Sequence, residues 1–249
     1  MTHEIRKNII LKLIHAPRLG YNSLRDTLES SHFAYHLKLL EDEGLIAKFE
    51  DGYGLTAEGR KLCAFIEGET GGKAELPTPI VVILVRKGDT LLYQERRKEP
   101  FYGYWGPVSG KVNFGWNPKD CAIRDLKEET NLEASDMTFR AVQYIKTIED
   151  GKILHHHLLY VFETATFTGE LKEQTHKGYN KFLTLDEARK QKRFPLDFMF
   201  TDIPSSDTFY VVESERYMKQ GQFVNAKIIT IQEFSPKGTR EPPSFLKTL

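Results

Sequence analysis

Apolar residues at Ile5, Ile9, Ile10, Leu13 and Ile14 recur at the spacing of one helical face and predict an amphipathic helix over His3 to His15. Arg18-Leu19-Gly20-Tyr21 breaks that pattern. Asn22 or Ser23 then suits the cap of a second, short helix ending near Leu28. A third helix, capped by Ser30 or Ser31, buries a stripe of Phe33, Leu37 and Leu40 and stops at Gly44. Leu45 to Phe49 reads as a strand, Asp51-Gly52 as a hairpin turn and Tyr53 to Leu55 as the returning strand. Thr56 caps a final helix of this region, with Glu58 in its first turn.

The pattern changes after Gly68. Residues 69–78 are rich in Gly, Pro and polar side chains and read as a linker between a first module, 1–68, and a second, 79–234. Pro79 to Val85 has the apolar run of a buried strand, Lys87-Gly88-Asp89 turns the chain, and Leu91 to Gln94 is its partner. A loop with Phe101, Tyr102, Tyr104 and Trp105 follows; Tyr102, Tyr104 and Trp105 suit either base stacking or packing under the loop. Asn117-Pro118 starts a helix that runs to about Thr130, with Asn131 placed for a left-handed C-terminal residue. Thr208 to Glu213 and Gln222 to Ile231 predict two further strands joined at Lys219-Gln220-Gly221. They form a C-terminal extension that packs on the domain or builds a homodimer interface. Residues 235–249 read as a flexible tail.

Composition narrows the class only a little. The 249 residues are 40% hydrophobic and 28% charged with a formal net charge of zero, so global charge points to no partner. No apolar run is long enough to span a bilayer, and the N-terminus lacks a signal-peptide core, which argues against a membrane partner. Cys63 and Cys121 sit in different modules and read as reduced thiols of a cytoplasmic protein.

The chemistry concentrates on one helix. Asp125, Glu128 and Glu129 lie at i, i+3 and i+4, which puts three carboxylates on one face, with Ala122, Ile123 and Leu126 providing an apolar side. Three clustered acids repel unless solvated or bridged by cations, and a hard divalent ion such as Mg²⁺ (or Mn²⁺) satisfies them with oxygen ligands. Gly110-Lys111-Val112-Asn113-Phe114-Gly115-Trp116, followed by Arg124-Asp125-Leu126-Lys127-Glu128-Glu129-Thr130-Asn131-Leu132, resembles the Nudix box without a gap. The resemblance covers about residues 79 to 190 and implies an α/β/α sandwich with a mixed sheet. It also implies catalytic roles for Arg124, Asp125, Glu128 and Glu129, with the three acids as metal ligands. Three positions depart from the box: Trp116 replaces its first Glu, Asp125 replaces the Glu after Arg, and Asn131 replaces its last Gly. Family members often take one more acid from a downstream loop, and Glu173 is the candidate general base or extra ligand, with His176 as an alternative. Arg96 and Gly110 are the candidate substrate-binding residues, and Arg97 shares Arg96's chemistry. His155 to His157 lie in a strand-like segment where alternation separates them, so no site is assigned to them.

The first module has a resemblance of its own. His32 to Ile46, and then Tyr53 to Arg60, resemble the recognition helix and post-wing segment of ArsR-like winged helix-turn-helix regulators. The resemblance implies DNA-binding roles for Ser31, His32, Tyr35 and Lys38. Residues 1–70 carry nine Lys and Arg against eleven Asp and Glu, so the basic footprint usual for double-stranded DNA is missing and a protein contact stays open. The expected fold class is therefore mixed, an N-terminal winged helix joined to a C-terminal Nudix sandwich. The expected function is Mg²⁺-dependent hydrolysis of a nucleoside diphosphate linked to another moiety. The alternative is a transcriptional regulator whose degenerate Nudix domain senses a nucleotide-like small molecule. Candidate ligands are ADP-ribose, other nucleotide sugars, dinucleotides and oxidised nucleotides.

Overall fold

Three helices close around one apolar core at the start of the chain: α1 (Glu4–His15), α2 (Tyr21–Arg25) and α3 (Ser30–Asp42). The hairpin of β1 (Ile46–Phe49) and β2 (Gly52–Leu55) follows, then α4 (Ala57–Cys63). Ile9, Ile10 and Leu13 of α1 meet Phe33, Leu37 and Leu40 of α3, and the hairpin adds Ile46 and Leu55. The computed structural model describes residues 3–202, 208–235 and 238–240. It divides into two units, Met1–Leu76 and Pro77–Leu249.

Several boundaries in the first unit differ from expectation. The cap of α3 is Glu29 rather than Ser30 or Ser31. Its carboxylate accepts from the backbone N–H of Ser31 at 3.0 Å and of His32 at 2.9 Å. Those bonds, with the Ser31 hydroxyl bond first, hold its pKa down at about 2. An anionic acceptor at a helix N-terminus outbids a neutral hydroxyl. Neither Asn22 nor Ser23 caps α2, which starts after Gly20 without a side-chain cap and ends at Arg25, short of Leu28. Part of the expected linker also folds back on its own unit. Ile66 bridges Lys73, the Ala74 N–H donates to the Phe65 carbonyl at 2.9 Å, and the Glu67 carboxylate takes the N–H groups of Glu69 and Thr70.

The second unit is built on a mixed sheet. Its elements are β3 (Thr78–Lys87), β4 (Thr90–Arg96), β5 (Trp105–Gly106), β6 (Val108–Lys111), α5 (Pro118–Thr130), β7 (Glu133–Ala134), β8 (Thr138–Glu149) and β9 (Lys152–Thr164). After them come β10 (Phe167–Thr168), β11 (Gly178–Thr184), α6 (Leu185–Arg189), α7 (Phe198–Thr201), β12 (Phe209–Lys219), β13 (Gln222–Ser235) and β14 (Gly238–Arg240). The main order is β11-β4-β3-β9-β8-β12-β13-β14, with β5 against β4 and β6 against β3. Strand β3 runs parallel to β9, and β12 runs parallel to β8.

Alternation along β3 makes two cores. Val81, Ile83 and Val85 pack with Cys121, Ala122 and Leu126 of α5. Leu84 faces the other way, towards Ala188 of α6 and Phe200 of α7, so helices cover both faces as the sandwich requires. The extension packs on the domain through β12. Lys219-Gln220-Gly221 makes the turn to β13, with Gln220 and Gly221 both left-handed at φ 50° and 72°. The expected flexible tail is corrected in part: Ser235 ends β13, and residues 238–240 pair back onto it as β14. The rest of that expectation, 241–249, lies outside the described residues. No helix among the described residues is long and apolar enough to cross a membrane.

The β3–β4 pairing positions the site. These strands pair only at Arg86–Leu91 and Lys87–Thr90, and beyond that β6 takes the place of β4 against β3. The separated strands leave room for a cleft.

Candidate active site

Helix α5 forms as its local chemistry dictates. The Asn117 side chain accepts the Asp120 N–H at 2.9 Å, Pro118 starts the first turn, and Asn131 closes the end at φ 63°. Burying Cys121, Ala122 and Leu126 turns the acidic face towards β4 and β6. Asp125 and Glu129 are each 3% exposed, whereas Glu128 is exposed. Arg124 donates twice to one Asp125 oxygen, from Nη2 at 2.7 Å and Nε at 3.0 Å, and this bond raises the Arg124 pKa. The other oxygen, Oδ2, is buried with no donor. It lies against Gly110, where a Cβ would stand 1.8 Å away, so glycine here makes space for a carboxylate. Glu129 is held differently. Its Oε1 pairs with Lys177 Nζ at 2.5 Å and its Oε2 accepts from Gln94 Nε2 at 3.1 Å. Asn180 locks the arrangement, accepting from Gln94 and donating to the Glu129 carbonyl at 2.7 Å.

The box departures have visible consequences. Trp116 is half exposed and places its ring 5.0 Å from the Arg124 guanidinium, so Arg124 is flanked by an indole and the Asp125 carboxylate. Glu173 does not join the site. Its side chain is exposed and away from the cleft, while its backbone carbonyl accepts the Asn180 N–H. His176 is exposed and outside the cleft as well. The loop delivers Lys177 instead of an acid.

All three carboxylates open into a cleft of 680 Å³, within the size range of nucleotide-sized ligand sites. Ile80, Val82, Ile145 and Leu159 contribute its apolar wall. Arg96 lines it, with Glu129 and Glu99 as counter-charges, whereas Arg97 points out and pairs with Glu95 at 3.6 Å. Tyr102 is exposed and Tyr104 is packed against Phe194 and Phe223. Neither they nor Trp105 line the cleft; Phe101 does. His157 also lines it, and burial, then the nearby Arg216, pushes its pKa down to about 4, so the imidazole is neutral at physiological pH.

Arg216 is the residue that sequence reasoning missed. Alternation along β12 buries Tyr210, Val212, Ser214 and Arg216 together, and the parity of these positions in the sequence was the available signal. Its Nε donates to Thr147 Oγ1 at 2.7 Å. Burial and the like charge of Arg96 bring its pKa down to about 10, which leaves it protonated at neutral pH.

The donors are hard oxygen ligands, the type a divalent cation such as Mg²⁺ takes. The cleft offers three carboxylates, one of them with a buried oxygen that has no donor and one free in the cleft. In the first unit, Ser31, His32, Tyr35 and Lys38 are all exposed on α3. His32 Nε2 also contacts Nε2 of the buried His36 at 3.2 Å, and the His3 ring stacks on His36 with centroids 3.9 Å apart.

Comparison with known proteins agrees with this geometry. The NUDIX domain model matches residues 76–201, which is 126 of the 249 residues, and a domain of unknown function (DUF7347) matches residues 1–66. A bis(5'-nucleosyl)-tetraphosphatase (asymmetrical) from Mus musculus is 28% identical over 97 residues, 36% of this chain and 63% of the relative. The chain thus spans a little under two thirds of that relative's length. A CTP pyrophosphohydrolase from Escherichia coli is 25% identical over 137 residues, covering 55% of this chain and 93% of the relative. Among solved structures, the mutator MutT protein from Bacillus halodurans superposes with a TM-score of 0.51 at 18% identity, over 61% of this chain and 97% of that one. With the box helix, its carboxylate face and half of the sequence accounted for, this chain belongs to the Nudix family.

Proposed function

We propose that the second unit is a hydrolase that cleaves the diphosphate linkage of a nucleoside diphosphate derivative with the help of Mg²⁺ or Mn²⁺. The observation behind this reading is that Asp125, Glu128 and Glu129 line one cleft while Asp125 keeps an acceptor oxygen without a donor. These three residues would hold the cation, which neutralises diphosphate charge and makes a bound water more acidic. Arg124 fixes the Asp125 carboxylate, and Gly110 leaves it room to stand against β6. Gln94, Asn180 and Lys177 hold the Glu129 side chain in one orientation. Arg96 offers a guanidinium to a phosphoryl oxygen on the cleft wall. The names of the mouse and Escherichia coli relatives support a nucleotide substrate with a phosphoanhydride bond. The test is a panel of nucleoside triphosphates, dinucleoside polyphosphates and ADP-ribose incubated with Mg²⁺, with Glu129→Gln run beside the wild type. Turnover that disappears in the variant supports the reading, and no turnover across the panel overturns it.

A second reading rests on the first unit. Its order of three helices, a β-hairpin and a helix supports a winged helix-turn-helix reading, and Ser31, His32, Tyr35 and Lys38 present polar side chains outward from α3. In this reading a nucleotide-like ligand of the second unit regulates DNA binding by the first. Binding to double-stranded DNA fragments across a salt series, with and without nucleotide, tests it. Lys38→Ala is expected to weaken binding and reduce the salt slope, and binding at no salt concentration sinks the reading.

A further inference from the structure

The cleft contains a cation for which no described residue supplies a counter-charge. Arg216 comes from β12, in the extension beyond the residues that the family model matches. It is 7% exposed and lines the cleft. Phe101, Phe194 and Phe223 surround the guanidinium, with ring centroids 5.0, 5.7 and 4.9 Å away. Among the described residues its one hydrogen-bond partner is Thr147, which occupies Nε and leaves the terminal nitrogens without a protein acceptor. The charged group that acts on it is Arg96, of the same sign.

Such a guanidinium is expensive to bury. Aromatic faces offset part of the lost hydration, but they do not replace an anion. A neighbouring Arg96 adds repulsion in an apolar-walled site. Both costs fall when an oxyanion enters between the two side chains. A carboxylate brings one negative charge, whereas a terminal phosphoryl group brings close to two and three acceptor oxygens, enough to engage both guanidiniums. The neutral imidazole of His157 adds no further positive charge to that end of the cleft.

We propose that Arg216, together with Arg96, binds a terminal phosphoryl group of the substrate, one that lies beyond the diphosphate engaged by the carboxylates. The inference rests on the hydrolase reading and narrows its substrate class. Nucleotides with an additional phosphoryl group, such as nucleoside triphosphates, are favoured over diphosphates capped by a neutral sugar.

The full chain is titrated with ATP, CTP and ADP-ribose in EDTA, where binding of phosphoryl groups relies on the protein's own cations and turnover is suppressed. Wild type is compared with Arg216→Met, which keeps the aliphatic packing, and Arg216→Lys, which keeps the charge. Thermal unfolding of each variant checks that the extension stays folded. The expected result is triphosphate binding on the order of 10- to 100-fold weaker in Arg216→Met, the scale of a lost charged hydrogen bond. ADP-ribose affinity stays within about threefold, and Arg216→Lys falls between. Equal weakening for all three ligands marks Arg216 as structural and overturns the proposal, as does unchanged triphosphate affinity. Kinetics with Mg²⁺ separate the two claims. Triphosphate binding that depends on Arg216 without any turnover leaves the subsite standing and the hydrolase reading failed. Turnover with an unchanged KM in Arg216→Met does the reverse.

Discussion

Gly110→Ala places a methyl carbon where the Asp125 carboxylate already stands. The new Cβ would meet Oδ2 at 1.8 Å and Cγ at 2.7 Å, far inside van der Waals contact. Asp125 has little freedom to yield, because it is 3% exposed and its other oxygen is held by Arg124 at 2.7 and 3.0 Å. Relief requires either breaking that pair or lifting α5 from a core in which Cys121, Ala122 and Leu126 are fully buried. Overpacking costs about 1–3 kcal/mol, and a lost hydrogen bond to a charged group about 1.5–3 kcal/mol. Together they give about 3–5 kcal/mol, or a fall in Tm of roughly 6–20 °C for a unit of this size. Displacing the carboxylate also displaces a proposed metal ligand, so hydrolysis falls on the order of 100-fold. The assay is denaturant unfolding of Gly110→Ala, Asp125→Ala and the double variant, beside wild type. Asp125→Ala removes the obstructing oxygen, so the added methyl then costs less than about 1 kcal/mol, and the cycle shows a coupling of about 2 kcal/mol or more. Equal costs for Gly110→Ala in both backgrounds would refute the steric argument.

Three more outcomes are expected. Lys177→Gln strands a Glu129 side chain that is 2% exposed and should destabilise the unit by about 3–5 kcal/mol. Mg²⁺ then raises the Tm of this variant more than that of wild type, and equal shifts would show that Lys177 and the cation do not compete for Glu129. His157 has a folded pKa of about 4 against an ordinary 6.5, so folding favours its neutral form. The stability it contributes, about 3 kcal/mol, is complete above pH 6.5 and is lost as pH falls from 6.5 towards 4. Urea midpoints of His157→Gln should therefore be flatter across that window, and parallel profiles would contradict the assignment. Trp116→Ala removes an exposed cation–π contact worth about 0.5–1 kcal/mol and should change kcat by less than about tenfold, because Arg124 keeps its bonds to Asp125. Complete loss of turnover would instead make the indole a required part of the site.

What could be read in the sequence and what could not follow a physical division. Helix α5 was legible because its signals are local: Asn117, Pro118 and Asn131 each act within one turn of the residues they cap. The three-acid face followed from helical periodicity alone. Loop chemistry escaped, since no period says which side chain of 170–179 turns inward; Glu173 has the expected charge, yet Lys177 reaches Glu129. Arg216 escaped for a related reason. Its parity with Tyr210, Val212 and Ser214 is visible, but burial on that face depends on a parallel pairing with β8, some seventy residues earlier in the chain. Parallel pairing leaves no turn signal for a sequence to display. The cleft draws on β3, β4, α5, the loop before β11, and β12, elements brought together only by tertiary structure. Reaction class therefore resides in a short segment that a reader can recognise, whereas ligand choice resides in long-range contacts. It follows that substitutions in the box will report on whether the chain hydrolyses anything at all. Substitutions at Arg96 and Arg216 are the ones expected to separate one phosphorylated ligand from another.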